Sequence, residues 1–188
     1  MVAVRARSKA RTSLLVDRVG SPLGPILLVA EGEGLRALEF GGDEDRLLRQ
    51  ARRQEGADVG FVPADDPAGL STRLRAYFAG DIEIFDGVPV RAGGTPFQRV
   101  VWAALREIPP GRTTSYGQLA ARLGRPGASR AVGLANGANP VAIAVPCHRV
   151  IGADGTLTGY GGGIERKRWL LEHERASLAA TGRSTTLL

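Results

Sequence analysis

Thr113 to Pro140 reads TTSYGQLAARLGRPGASRAVGLANGANP, and the fold of the chain turns on how this stretch is taken. A helical pattern runs from Tyr116 to Leu123, Gly-Arg-Pro-Gly at 124–127 forces a turn, and a second helix follows near Ala128 to Asn136. Two short helices around a tight glycine turn suggest a helix-turn-helix. Any αα-hairpin gives the same pattern, so this stretch alone leaves both open. Upstream, Thr95 is an N-cap with Pro96 at the first helical position. Phe97, Val100, Val101, Ala104, Leu105 and Ile108 then recur with a helical period until PPG at 109–111 ends the run. Downstream lie VPCHRV at 145–150, an Asp-Gly turn at 154–155, GYGGG at 159–163 and an amphipathic helix from about Ile164 to Glu174. Residues 176–188 read as a flexible tail.

The first half has a different grammar. SLLVDRV (13–19), PILLVAE (25–31) and LRALEF (35–40) read as short strands divided by Gly and Pro clusters, which predicts a small antiparallel sheet. Asp43 caps a helix through about Arg53. DDPAGLSTRLRAYFAGD (65–81) sets Leu70, Leu74, Tyr77 and Phe78 at helical spacing with Gly80 as the stop. VPVRAGG (88–94) is extended and ends in a glycine pair, the best place for a boundary. The expected organisation is α+β: a basic arm at 1–12, a sheet domain at 13–90, a helical domain at 91–175 and the tail at 176–188.

The 188 residues, 43% of them hydrophobic, suffice for one sizeable core or two small domains and exclude a disordered chain. The longest apolar runs fall far short of the roughly 20 residues of a membrane span, so no membrane is expected as partner. The arm lacks the apolar run of a secretory signal, which points to the cytoplasm. One cysteine makes no intramolecular disulfide, and Cys147, His148 and His173 are a poor zinc set, so neither metal nor cofactor is expected. Residues 13–90 hold 14 acidic and 8 basic side chains, residues 91–175 hold 5 and 12. A basic half beside an acidic one fits a nucleic-acid-binding domain as well as it fits a solvated Arg-rich surface.

A lone cysteine is most often a small buried hydrophobe. In VPCHRV it stands beside a histidine, and here the sequence resembles a known family. TPFQRVVWAALREIPPGRTTSYGQLA, SRAVGLANGANP, VPCHRVIG, GYGGG and RKRWLLEHE follow the order found in the C-terminal domain of the O6-alkylguanine-DNA alkyltransferases, the methylated-DNA–protein-cysteine S-methyltransferases. The first half matches more loosely, and YFAG sits where the family often has such a segment.

The resemblance implies an RNase H-like sheet domain and a winged helix-turn-helix. It also implies repair of O6-alkylguanine, and of O4-alkylthymine, by irreversible transfer of the alkyl group to Cys147. By the same resemblance His148 is the base acting through a bound water, and Glu174 orients the imidazole. Asn139 joins the recognition helix to the cysteine turn, and Tyr116 helps protonate the leaving base. Arg130 fills the space of the flipped base on a helix whose Ala128, Ser129 and Gly133 allow close approach to the minor groove. Val150, Tyr160, Gly161 and Ala142 line the pocket, where some relatives have proline at the position of Ala142 and serine at that of Gly161. The implied partner is double-stranded DNA carrying alkylated guanine, bound by a monomer, with cooperative binding open.

Two rivals differ in class. A non-enzymatic lesion binder related to the alkyltransferases replaces the motif cysteine, typically by tryptophan. A Cys-His hydrolase or acyl transferase turns over repeatedly and needs an oxyanion site.

Overall fold

The computed structural model of the protein describes residues 13–55 and 59–182. The expected basic arm and residues 183–188 of the expected tail lie outside the described residues. Strands β1 (Ser13–Val19), β2 (Ile26–Glu31) and β3 (Gly34–Phe40) follow one another as antiparallel neighbours. Helix α1 (Glu44–Glu55) comes next, with Asp43 Oδ1 accepting from Arg46 N at 2.9 Å as its cap.

The sheet is not wholly antiparallel. A fourth strand, β4 (Gly60–Pro63), pairs parallel to β1 and completes the order β3-β2-β1-β4. Four residues flanked by glycine and proline are too short for an alternating pattern to stand out, which is why the sequence gives no sign of it. Helix α2 (Leu70–Phe78) also starts later than its spacing suggests. Asp66 (φ 48°) and Ala68 (φ 54°) take left-handed conformations around a 3₁₀ turn at Pro67–Gly69, so the helix begins only at Leu70.

The strand β2 is apolar from Ile26 to Ala30 because both its faces are covered. Leu27 and Val29 pack with Leu14, Val16, Leu47 and Ala51 on the α1 side. Ile26, Leu28 and Ala30 turn the other way, into a cluster that runs through Leu74 and Tyr77 to Val101, Leu105, Leu119, Val132, Cys147 and Leu170. One core therefore spans both halves of the chain.

Helix α3 (Pro96–Arg106) opens with a reciprocal capping box between Thr95 and Gln98, and α4 (Tyr116–Arg122) repeats the device with Ser115 and Gln118. Gly124, at φ 68°, ends α4 in the left-handed conformation that lets Arg125 N reach Ala120 O at 2.9 Å. Helix α5 (Ser129–Gly137) follows and packs on both α3 and α4; Trp102 Nε1 donates to Ala135 O at 2.8 Å. A short parallel pair, β5 (Thr114–Ser115) with β6 (Val150–Ile151), brings the start of α4 beside the cysteine segment.

The last helix, α6 (Ile164–Ala180), runs six residues past its expected end. Leu171, Glu174 and Leu178 fall on one buried face, so Leu178 continues the stripe and residues 176–180 are helix, not tail. Among the described residues no helix is long and apolar enough to cross a membrane.

Candidate active site

The segment that carries the cysteine is hung on the edge of the sheet. Leu38 N donates to Pro140 O at 2.8 Å and Ala142 N to Leu38 O at 2.9 Å, so β3 fixes the chain directly after Asn139. Ile143 then takes φ 71°, uncommon for a β-branched residue, and Ala144 N closes back on Ala142 O at 2.9 Å. Asn139 holds this turn from within. Its Oδ1 accepts from Val141 N (3.0 Å), while Nδ2 donates to Val145 O (2.8 Å) and to Cys147 Sγ (3.1 Å). The residue expected to join helix and cysteine turn thus also donates to the sulfur. Asn136, which the sequence does not single out, is buried and reaches Cys147 O at 3.4 Å.

Cys147 begins a 3₁₀ turn, Cys147–Arg149, and is only 6% exposed. Burial pushes its thiol up. The Asn139 hydrogen bond, the charge of Lys167 and the amides of Cys147 and His148 oppose that rise.

His148 and Glu174 are both fully buried, with Nε2 to Oε1 at 2.8 Å. The carboxylate collects further donors: Arg149 Nε at 3.1 Å to each oxygen, Arg149 Nη2 at 2.7 Å to Oε1, Gly111 N at 3.0 Å to Oε2 and the Tyr77 hydroxyl at 3.2 Å to Oε1. Burial alone would raise the Glu174 carboxyl, but His148 and Arg149 outweigh it and hold the group well below the usual carboxylate range. Burial likewise lowers the imidazole, against the pull of Glu174, so His148 rests neutral. An ionised Glu174 needs a donor, so the proton sits on Nε2 and Nδ1 is left as the acceptor. Nδ1 has no hydrogen-bond partner among the described residues.

Three side chains here escape a reading of the sequence. Arg149 and Tyr77 hold Glu174, and Lys167, with no exposed surface, donates from Nζ to Val150 O and Thr158 O at 2.6 Å each. Burial lowers the Lys167 ammonium to about 8, with Cys147 pulling the other way. Arg149 stood in view inside VPCHRV. Lys167 is one of only two lysines in a chain otherwise rich in arginine, a faint signal at best.

The phenols of Tyr116 and Tyr160 are both raised by burial first, and both feel Cys147. The Tyr116 hydroxyl donates to Thr158 O at 3.2 Å, and the buried Tyr160 hydroxyl has no partner among the described residues. Val150 and Cys147 carbonyls already accept Lys167 and Asn136, leaving a second lone pair on each. Ala142 and Gly161, with Asn139 and Phe40, line a cleft of about 530 Å³ between the two halves. Gly162 in the glycine-rich loop is sterically required: a Cβ there would lie 2.7 Å from the Tyr160 ring and 3.0 Å from Phe40.

On α5, Ser129 and Arg130 are exposed, as is Leu134 at 72%. Ala128 packs on the core, and a Cβ at Gly133 would make ordinary contact with the Tyr116 ring at 3.7 Å. No group of three or more His, Cys, Asp or Glu among the described residues could hold a metal ion.

Comparison with known proteins covers nearly the whole chain. The ribonuclease-like domain of 6-O-methylguanine DNA methyltransferase matches residues 18–92, and the DNA binding domain of the same protein matches residues 96–176. A methylated-DNA–protein-cysteine methyltransferase of Salmonella typhimurium is 55% identical over 165 residues, 86% of this chain and 95% of that protein. One from Mycobacterium bovis is 50% identical over 165 residues, 86% and 93% of the two chains. The crystal structure of Mycobacterium tuberculosis O6-methylguanine methyltransferase aligns with a TM-score of 0.72 at 44% identity, over 87% of this chain and 94% of that one. A structure of the M. tuberculosis protein in complex with DNA aligns with a TM-score of 0.71 at 44% identity, over 88% and 94%.

Proposed function

The chain belongs to the 6-O-methylguanine DNA methyltransferase family, and on that premise we propose that Cys147 is its alkyl acceptor, served by His148, Glu174, Asn139 and Tyr116. The protein is a methylated-DNA–protein-cysteine methyltransferase that repairs DNA by alkyl transfer to a cysteine. The observation that carries the assignment is the buried His148–Glu174 pair, 2.8 Å apart, directly after the only cysteine.

The chemistry follows from that arrangement. A neutral thiol is a poor nucleophile, and burial keeps Cys147 protonated until its proton is taken. Nδ1 of His148 accepts that proton through a bridging water, and Glu174 stabilises the imidazolium. The Asn139 amide and the Lys167 ammonium favour the anion on sulfur. The thiolate attacks the alkyl carbon in line, the sulfur–carbon bond forms as the carbon–O6 bond breaks, and the leaving guanine is protonated on a ring nitrogen by way of the Tyr116 hydroxyl. A thioether has no leaving group that water can displace under these conditions, so each molecule acts once.

Chemistry on a stacked base needs it outside the duplex. In this reading α5 lies along the minor groove as part of a winged helix-turn-helix, exposed Arg130 takes the place of the extruded nucleotide, and the base enters beside Val150, Tyr160, Gly161 and Ala142. The protein works as a monomer in the cytoplasm, where a free thiol stays reduced. Cooperative binding on DNA and repair of O4-alkylthymine belong to the same proposal. The test is intact mass after incubation with O6-methylguanine duplex. The wild type should gain about 14 Da, a methyl replacing a hydrogen. Cys147→Ser should gain nothing while still binding the duplex, and a gain on Cys147→Ser would overturn the assignment.

A further inference from the structure

Glu174 holds more donors than a histidine relay requires, and one of them comes from the other half of the chain. We propose that Tyr77 is a positioning residue for alkyl transfer, its hydroxyl setting the base strength of His148 by sharing the Glu174 oxygen that the imidazole uses. The proposal rests on the relay of Cys147, His148 and Glu174 put forward above.

Oε1 of Glu174 receives Tyr77 at 3.2 Å, His148 at 2.8 Å and Arg149 at 2.7 Å. Every donor that draws on this oxygen leaves it a weaker acceptor for the others, and a weaker acceptor stabilises the imidazolium less. Tyr77 is held for this purpose at both ends. Its ring packs on Phe78, Phe85 and His173 with centroids 5.5, 6.3 and 5.4 Å away, and its carbonyl accepts from His173 Nε2 at 2.8 Å. Burial, reinforced by Glu174, raises the phenol well above its ordinary value, so the hydroxyl remains a donor throughout the working range. The other charged or titratable groups facing the pair are Arg149 and Lys167, which oppose a charge on His148, and Tyr160 and Cys147 across the pocket. The turn at Gly111 contributes only its amide. Among the described residues that hold Glu174, only Tyr77 belongs to the sheet half, so α2 reaches the chemistry through its hydroxyl.

The sign of the effect follows. Tyr77→Phe keeps the ring and its packing and removes one donor from Oε1, which frees that oxygen to hold His148 more tightly as the imidazolium. The protonated form of His148 gains, and the acid limb of the rate profile moves to higher pH.

The experiment is the pH dependence of single-turnover methyl transfer from O6-methylguanine duplex for wild type, Tyr77→Phe, Glu174→Gln and the double variant, with His148 titrated by NMR. Tyr77→Phe should move the acid limb and the His148 titration up by about half a pH unit, with a high-pH plateau within about twofold of wild type. Tyr77→Phe in the Glu174→Gln background should move neither. A Tyr77→Phe profile that superimposes on wild type, or a plateau that falls with no movement of the limb, would show that the residue only packs. If Glu174→Gln shifts the limb and Tyr77→Phe does not, the role of Tyr77 is overturned and the relay stands. If Glu174→Gln also leaves the limb in place, the relay fails and takes this proposal with it.

Discussion

Glu174 shows how much one side chain can be asked to do. It orients His148 and neutralises Arg149, whose Nη1 also donates to Ile108 O at 2.5 Å, so its removal strands a buried guanidinium. Glu174→Gln should therefore cost about 3 kcal/mol of stability at neutral pH, the scale of a buried ion pair left with one partner. The pH dependence has a definite sign. A carboxyl held below its usual value in the fold contributes stability above about pH 4, and that contribution is lost as pH falls toward its folded value. Urea melts of wild type and variant should accordingly converge below about pH 4, and a constant difference down to pH 2 would contradict the account. Cys147, His148 and Glu174 can be read from the sequence because the first two sit together in a short motif and the third closes another. Tyr77, Arg149 and Lys167 cannot. Charged side chains are expected at the surface, and a tyrosine at helical spacing looks like core. In Tyr77 the core reading is correct and incomplete, since only the fold brings its hydroxyl to a residue 97 positions away.

Among the elements, α3 and α4 are the most legible, because their capping boxes, the Pro-Pro-Gly after α3 and the glycine stop after α4 write their ends into the sequence. The strand β4 and the last turns of α6 are the least, one too short to show a period and the other masked by an alanine-rich run that resembles a tail. The extra turns have a consequence: Leu178→Ala should destabilise the protein by about 2 to 3 kcal/mol, as truncation of a core leucine does, whereas a frayed tail would show no change in a thermal melt. On α5 the exposed first turn separates two roles for Arg130. A residue that only neutralises phosphate tolerates lysine. One that fills the space of a base uses the planar guanidinium, so both Arg130→Lys and Arg130→Ala should slow methyl transfer from duplex by about tenfold or more. On free O6-methylguanine, which needs no extrusion, the same variants should stay within about twofold. Equal slowing on both substrates would place the defect in the pocket and remove Arg130 from base flipping.

At the scale of the molecule, the halves distinguished by charge and pattern are joined more closely than the sequence suggests. One hydrophobic cluster runs from the sheet through α2 to Cys147 and α6, and the edge of β3 pairs with the segment that carries Asn139. The acidic sheet half is thus a scaffold for the basic half that meets DNA. Pairing between Leu38 and Val141 cannot be foreseen, since it joins residues about a hundred positions apart that belong to no common pattern. The whole arrangement serves a single event at one sulfur, and that event can be counted. Protein at fixed concentration is titrated with excess O6-methylguanine duplex, and restored guanine is measured alongside the mass of the same sample. Guanine should level off at one per protein molecule as the unmodified mass disappears, with the added methyl mapping to Cys147. Guanine that keeps rising after every molecule should be spent, or a plateau reached with Cys147 unmodified, would contradict the account.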